Sequence, residues 1–316
     1  MTRAAVLGLA ALAACRESPI PESQRWPAGS GTALRARTVT VGGSRIRIID
    51  TGSGPVVVLI HGIAASMYAW RHTVEPLVAA GYRVVAYDNR GFGFSDKPDT
   101  GYSNTAYAKL LVGLLDSLRV EDAVLVGHSM GGAIAAEVAL RTPNRVRGLV
   151  LVDAAGFGAR WPLVLRVARW PVIGRLLTAF RGRAMTGRIL RSTYADPRKA
   201  TAADVDQYYA PVSDPGFPRA LRGVLGSFRF DTLQGRLGGI QVPTLVVWGT
   251  DDRWIPPGVG RAMVQELPIG ALVFVPGAGH SPFEESPTFF NHTLLAFLKT
   301  GLPSPPPNLA AQVIKH

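Results

Sequence analysis

The stretch that decides the fold is Val124-Leu-Val-Gly-His-Ser-Met-Gly-Gly132. Its first half is apolar and β-branched, which is typical of a buried strand in a parallel sheet. The residues that follow Ser129 are rich in helix formers and apolar at helical spacing. We therefore expect Ser129 at a sharp turn from strand to helix, where Gly127 and Gly131 leave room for a strained backbone. Such a turn points the Ser129 hydroxyl outward beside a helix N-terminus, which stabilises negative charge.

The pattern G-x-S-x-G between a strand and a helix resembles the nucleophile turn of the α/β-hydrolase family, in its serine-nucleophile branch with an inserted cap. The resemblance covers about residues 37–300. It implies an α/β fold with a mostly parallel central sheet flanked by helices. In such sheets the functional site lies beyond the carboxyl ends of the strands, where Ser129 is predicted.

The pattern of strands and helices predicts a domain organisation. Strands alternate with helices in residues 37–154 and again in 240–300, which predicts one α/β core made of two parts of the chain. Residues 155–239 lack that alternation, and we expect a helical cap there, as the family inserts one after this strand. The last segment, 301–316, contains four prolines and is predicted to be a flexible tail.

The N-terminus predicts export. Residues 1–15 combine a short basic start with an apolar run of signal-peptide length, which is too short to span a bilayer. The run ends Leu12-Ala13-Ala14-Cys15, which resembles a bacterial lipoprotein signal that leaves an acylated N-terminal Cys15. Residues 16–36 are predicted to be an exposed linker. The expected protein is thus a membrane-anchored lipoprotein; the alternatives are a secreted, periplasmic or cytoplasmic protein.

The charge balance is strongly basic, with a net charge of +12 at pH 7. The excess is mostly arginine within the fold, without a lysine-rich arm or a nucleic-acid-binding motif, so we expect no nucleic-acid partner. Residues 154–195 hold eight arginines and no acidic residue. This basic cap is either a solvated face or a contact with anionic lipid or substrate. Because Cys15 is the only cysteine, an intrachain disulfide is excluded.

A serine hydroxyl needs a base within reach, and the base needs an acid that fixes its tautomer. The chain order Ser, Asp, His matches the family. His280 follows the last predicted strand of the core on a glycine-rich turn, and we expect it to be the base. The other histidines are placed on predicted helices, in the tail, or before the nucleophile, where the turn should direct the side chain away from the substrate: His72, His292, His316 and His128.

The acid is expected after the strand that ends at Gly249. In similar sequences it is the third residue after this glycine, which selects Asp252. Asp251 is its neighbour and an alternative partner for the base. Asp153 is a further candidate, because some relatives place the acid after the preceding strand.

A His-Gly pair follows the predicted strand 56–60 and, in the family, opens the oxyanion-hole loop. The backbone N–H groups of Ile63 and Met130 would be the two donors. His61 is expected to shape this loop. The sequence has no metal-ligand spacing of His or Cys, and no G-x-G-x-x-G after a strand, so it indicates neither a metal nor a cofactor.

A serine nucleophile favours an acyl-enzyme, and the expected activity is therefore that of a carboxylesterase or lipase on an apolar or lipid-like ester. Two alternatives stay open. One is hydrolysis of a carbon–carbon bond in a vinylogous diketone, and the other is a noncatalytic binding protein on a hydrolase fold. The expected partners are a small-molecule ester and a membrane surface reached through Cys15 and the basic cap.

Overall fold

A nine-stranded, mostly parallel sheet is the centre of the described part of the protein. The computed structural model describes residues 20–28, 33–158, 170, 182–301 and 314–315. The strands are β1 (Ala36–Val41), β2 (Ser44–Thr51), β3 (Val56–Ile60), β4 (Arg83–Tyr87), β5 (Ala123–His128), β6 (Val146–Val152), β7 (Thr244–Gly249), β8 (Gly270–Val275) and β9 (Ile314–Lys315).

The strand order is β1-β2-β4-β3-β5-β6-β7-β8-β9. The six strands from β4 to β8 in this order are parallel, and antiparallel pairs occur at both edges. The carboxyl ends of β5, β7 and β8 therefore meet at one edge of the sheet, and each is followed by a turn with a predicted site residue. This topology confirms the predicted α/β-hydrolase fold.

Helices cover both faces of the sheet because its central strands are apolar on both sides. Along β3, Val58 and Ile60 pack into one core cluster, whereas Val57 and Leu59 pack into the other. The α-helices of the described chain are α1 (Val74–Ala79), α2 (Asn104–Ser117), α3 (Met130–Arg141), α4 (Arg183–Thr193), α5 (Ala202–Val212), α6 (Phe217–Ser227), α7 (Gly258–Glu266), α8 (Pro282–Glu285) and α9 (Pro287–Thr300). Helices α2, α3 and α7 cover the first cluster, and helices α1 and α9 cover the second.

Helices α4 to α6 lie between β6 and β7, where the sequence predicts the cap. A capping box begins α5: the Thr201 side chain accepts the Asp204 N–H, and the Asp204 carboxylate accepts the Thr201 N–H. Leu190 of α4 packs with Tyr194 and Val205 in a small apolar cluster of the cap. Much of the arginine-rich segment, 159–169 and 171–181, lies outside the described residues.

Within the predicted exposed linker 16–36, residues 21–24 are exposed as expected, but Trp26 and Pro27 are buried against the rest of the protein. Trp26 is 6% exposed and its ring meets the edge of Tyr68 at a centroid distance of 6.1 Å. Gln207 of α5 accepts the Trp26 N–H at 2.9 Å and donates to the Gln24 carbonyl at 2.7 Å. The prolines suggested a free linker, but burying the large apolar surface of a tryptophan favours docking. At the other end, residues 314–315 of the predicted flexible tail pair with β8.

Candidate active site

Ser129 lies at the sharp turn between β5 and α3, with φ +51° and ψ −118°. A non-glycine residue in this region costs about 1–3 kcal/mol and persists only where its surroundings hold it. Here the Ser129 N–H donates to the Val152 carbonyl, and the Ser129 carbonyl accepts the Ala155 N–H, both at 3.0 Å. A Cβ atom at Gly131 would lie 2.2 Å from the Ile60 carbonyl oxygen. This close approach explains why a glycine stands two residues after Ser129.

Asp252 and His280 form a hydrogen-bonded pair. His280 follows β8, and its Nδ1 lies 2.7 Å from Oδ2 of Asp252, which follows β7. The other carboxylate oxygen, Oδ1, accepts the N–H groups of Trp254 and Ile255 at 2.7 and 3.0 Å. These bonds fix the carboxylate, so that Nδ1 of His280 donates to it and Nε2 is left to accept a proton. Asp251 is exposed and accepts the Thr250 hydroxyl instead.

Ser129 and His280 line one cavity of about 230 Å³. Both side chains are buried, at 7% and 4% exposure. The cavity lies between the core and the cap, and its described lining contains no Lys, Arg, Asp or Glu. The apolar lining includes Ile63, Ala155, Met185, Ile189, Leu190, Val212, Phe217, Leu221, Leu225, Phe230, Trp254 and Ile255.

The loop after β3 carries the predicted oxyanion-hole residue Ile63, which lines the cavity. Met130 is the first residue of α3, so its N–H is one of those that a helix leaves without an intrahelical partner. His61 fixes this loop: its Nδ1 donates to the Gly62 carbonyl at 2.7 Å, and its Nε2 accepts the Asn89 N–H at 2.8 Å. Burial lowers the pKa of His61, so its imidazole is neutral. With both nitrogens occupied, His61 shapes the loop and cannot serve as the base.

His128 differs from its prediction, because it lines the cavity. Its Nε2 donates to the His280 carbonyl at 2.8 Å, and the two rings lie 4.8 Å apart between centroids. Burial, followed by repulsion from His280, holds the pKa of His128 well below its usual range. His128 is therefore a neutral donor that supports the turn of His280. The sequence shows only that His128 is next to Ser129. It could not predict the bond to His280, because that residue is 152 positions further along the chain.

Asp153, the alternative acid, lies at the end of β6 and is fully buried. Its Oδ1 accepts the Gly249 N–H at 3.0 Å, and ligand atoms of Asp153, Asp252 and His280 all lie within 4.8 Å of one another. Burial, reinforced by the charge of Asp252, raises the pKa of Asp153 well above its ordinary value. The hydrogen bond to Nδ1 of His280 belongs to Asp252. Asp153 thus lies beside the Asp252–His280 pair as a buried carboxyl with a raised pKa.

We expect Asp153→Asn to raise the melting temperature at pH 8 and to change it little near pH 4. Because the pKa of Asp153 is raised on folding, the folded protein keeps a proton that the unfolded chain releases above its ordinary pKa. This difference favours unfolding more strongly as the pH rises, and an asparagine, which does not titrate, removes it. Melting temperatures of both proteins between pH 4 and 8 test the sign. If the variant has a lower melting temperature than wild type at pH 8 but not at pH 4, Asp153 is ionised in the folded protein.

Cys15 and the arginines at 160, 166, 169, 175 and 181 lie outside the described residues, so lipidation and membrane contact remain predictions. No helix in the described ranges is long and apolar enough to cross a membrane.

Comparison with known proteins identifies the family. The family model for the alpha/beta hydrolase fold matches residues 55–287. The chain is similar to the AB hydrolase superfamily protein YfhM of Bacillus subtilis (strain 168), with 27% identity over 287 residues that cover 84% of this chain and 98% of that protein. It is also 33% identical over 269 residues to the 2-hydroxy-6-oxononadienedioate/2-hydroxy-6-oxononatrienedioate hydrolase of Cupriavidus pinatubonensis (strain JMP 134 / LMG 1197), covering 80% of this chain and 90% of that protein.

Among solved structures, the fold is similar to that of a membrane phospholipase A described as a novel bacterial virulence factor. The TM-score is 0.70 at 27% identity, covering 84% of this chain and 86% of that one. The family model spans more than half of the chain, and it agrees with the sheet topology and with the serine turn. The chain therefore belongs to the α/β-hydrolase fold family and is a hydrolase of that family.

Proposed function

We propose that the protein is a serine hydrolase that cleaves a carboxylic ester with an apolar acyl or alcohol part. One observation carries the proposal: a serine on a strained turn and a histidine held by a buried carboxylate line the same apolar cavity. A noncatalytic binding protein would gain nothing from the strain at Ser129 or from the buried Asp252–His280 pair.

In the proposed reaction, Nε2 of His280 takes the hydroxyl proton of Ser129 while Oγ attacks the ester carbonyl carbon. The carbonyl oxygen becomes an anion, for which the N–H groups of Ile63 and Met130 are the proposed donors. Protonated His280 is stabilised by Asp252 and returns the proton to the alcohol as the carbon–oxygen bond breaks. Water, deprotonated by His280, then attacks the acyl-enzyme, which releases the carboxylic acid and restores Ser129.

The lining of the cavity favours an uncharged substrate. Carboxylate substrates are usually held by a cationic or strongly donating side chain. The described lining residues include neither Lys nor Arg, and their polar side-chain groups are hydroxyls, imidazoles and the indole N–H of Trp254. An apolar ester needs no such anchor, because burial of its apolar surface supplies the binding free energy.

Carbon–carbon bond hydrolysis is the second candidate function, and the comparisons support it as much as esterase activity. The Cupriavidus relative is, by its name, a hydrolase of oxo-dioate compounds. A protein of Burkholderia cepacia that is 30% identical over 284 residues is named as a 2-hydroxy-6-oxo-6-phenylhexa-2,4-dienoate hydrolase. Both names denote anionic compounds, whose carboxylates would need partners that the described lining does not offer.

The two functions are separated by assaying one enzyme preparation with both substrate classes. We expect hydrolysis of nitrophenyl esters, with kcat/KM rising from the acetyl to a medium-chain acyl ester as more apolar surface enters the cavity. A vinylogous diketone acid should be cleaved at least about 100-fold less efficiently, because its carboxylate is buried without a cationic partner. The reverse order of kcat/KM would assign the protein to the carbon–carbon hydrolases.

A further inference from the structure

A buried carboxylate, Glu285, joins the turn of the base to the cap. Glu285 ends α8, five residues after His280, and is 5% exposed. Its Oε2 accepts the N–H of Gly279 at 2.5 Å and that of Ala195 at 2.9 Å. Its Oε1 accepts the N–H of Asp196 at 3.1 Å. One donor thus belongs to the turn that carries the base, and the other two belong to the cap.

The same cap segment, residues 192–196, touches both turns of the Asp–His pair. The His280 N–H donates to the Thr193 carbonyl at 2.7 Å, and the Trp254 indole N–H donates to the Ser192 carbonyl at 3.0 Å. The Trp254 ring also stacks on the His280 imidazole, with 13° between the planes and 5.9 Å between centroids. The contact is close: a Cβ atom at Gly279 would lie 2.6 Å from the Thr193 carbonyl oxygen. The turn of the base cannot move without moving the cap segment.

This cap segment continues directly from the helix that forms a wall of the cavity. Met185, Ile189 and Leu190 of α4 line the cavity, and α4 ends at Thr193. A substrate that packs against α4 therefore contacts the helix that leads into segment 192–196, which Glu285 links to the turn of His280. The hydrogen bonds form a continuous path from the substrate-binding wall to the base.

We propose that Glu285 is a positioning residue, which locks the turn of His280 to cap segment 192–196 so that the seating of the cap sets the position of the base. The inference rests on the proposed function in taking His280 as the base for Ser129. Glu285 is not among the described residues that line the cavity, so it acts through His280 and not on the substrate. Its effect is therefore on the rate of the chemical step and not on substrate affinity.

The variant Glu285→Gln tests the proposal with little change of shape. A carboxamide has one acceptor oxygen, and its NH₂ group would face a backbone N–H, so at least one of the three bonds is lost. We expect the rate of Ser129 labelling by a fluorophosphonate to fall by about 10- to 100-fold, because a displaced base misses the serine proton. KM for a nitrophenyl ester should stay within about threefold of wild type, while kcat falls with the labelling rate.

Glu137→Gln is the control. Glu137 of α3 is also buried, at 2% exposure, and its carboxylate pairs with Arg141 and with Arg236. Its described side-chain bonds reach neither segment 192–196 nor the Gly279–His280 turn. We expect a loss of melting temperature in both variants, with the labelling rate of Glu137→Gln within about threefold of wild type.

If folded Glu285→Gln protein is labelled by the fluorophosphonate at the wild-type rate, the proposal is overturned. An equal loss in both variants would also overturn it, since the cause would then be a general loosening of the fold. If Glu285→Gln does not fold, Gly279→Ala replaces it. The added methyl group pushes the turn of His280 away from segment 192–196, while Glu285 itself is unchanged. A wild-type kcat in that variant would overturn the proposal. A wild-type protein that is not labelled at all refutes the proposed function instead.

Discussion

Replacing Ser129 or His280 with alanine is expected to lower kcat for ester hydrolysis by about 10⁴-fold or more. Without Ser129 no acyl-enzyme forms, and without His280 nothing takes the hydroxyl proton during attack. The double variant should be hardly slower than either single variant, because the two residues act as one unit. Rates with a nitrophenyl ester, together with circular dichroism and melting temperature, separate loss of chemistry from loss of folding.

His292→Ala is the control for these variants. His292 lies on α9 and is exposed, so its removal should leave kcat unchanged. A folded Ser129→Ala protein that keeps more than about one hundredth of wild-type kcat would contradict the assignment of the nucleophile.

Asp252→Asn is expected to lower kcat by about 10⁴-fold while leaving the fold intact. The carboxylate accepts the Nδ1 proton of His280 at 2.7 Å, whereas an amide can present its NH₂ group there and favour the wrong tautomer. Asp251→Asn should keep kcat within about threefold of wild type, since its carboxylate accepts a neighbouring hydroxyl at the surface. Both variants are measured by kcat and by the rate of fluorophosphonate labelling.

The reverse result would reassign the acid. If Asp251→Asn is inactive and Asp252→Asn is nearly normal, the acid is Asp251. If Asp252→Asn is active and adding Asp153→Asn abolishes that activity, Asp153 acts as the acid. Its ligand atoms lie within 4.8 Å of those of Asp252 and His280, which would permit this role.

The fold was predictable because its strongest signals are local. The apolar run before Ser129 and the helix formers after it specify a strand, a turn and a helix within one short stretch. The role of Gly131 also follows from its neighbours, as the close approach to Ile60 shows. The positions of Asp252 and His280 rest on their distances from strand ends, which the family resemblance supplies.

The contacts that sequence reasoning missed join residues far apart in the chain. Glu285 meets Ala195 and Asp196, and His128 meets the turn of His280, only after the sheet and the cap have assembled. No periodicity or spacing rule reports such contacts, because they depend on how the segments pack. Trp26 shows the same limit: its prolines and polar neighbours suggest a linker, whereas a tertiary contact with Tyr68 decides its place.

The central claim is that Ser129 is a nucleophile activated by His280, and covalent labelling tests it most directly. Wild-type protein, Ser129→Ala and His280→Ala are treated with a fluorophosphonate and analysed by intact mass and peptide mapping. The account predicts one adduct on wild type, located on Ser129, no adduct on Ser129→Ala, and labelling of His280→Ala slowed by about 10³-fold or more. Equal labelling of wild type and Ser129→Ala, or a folded wild type that gains no mass, would contradict it.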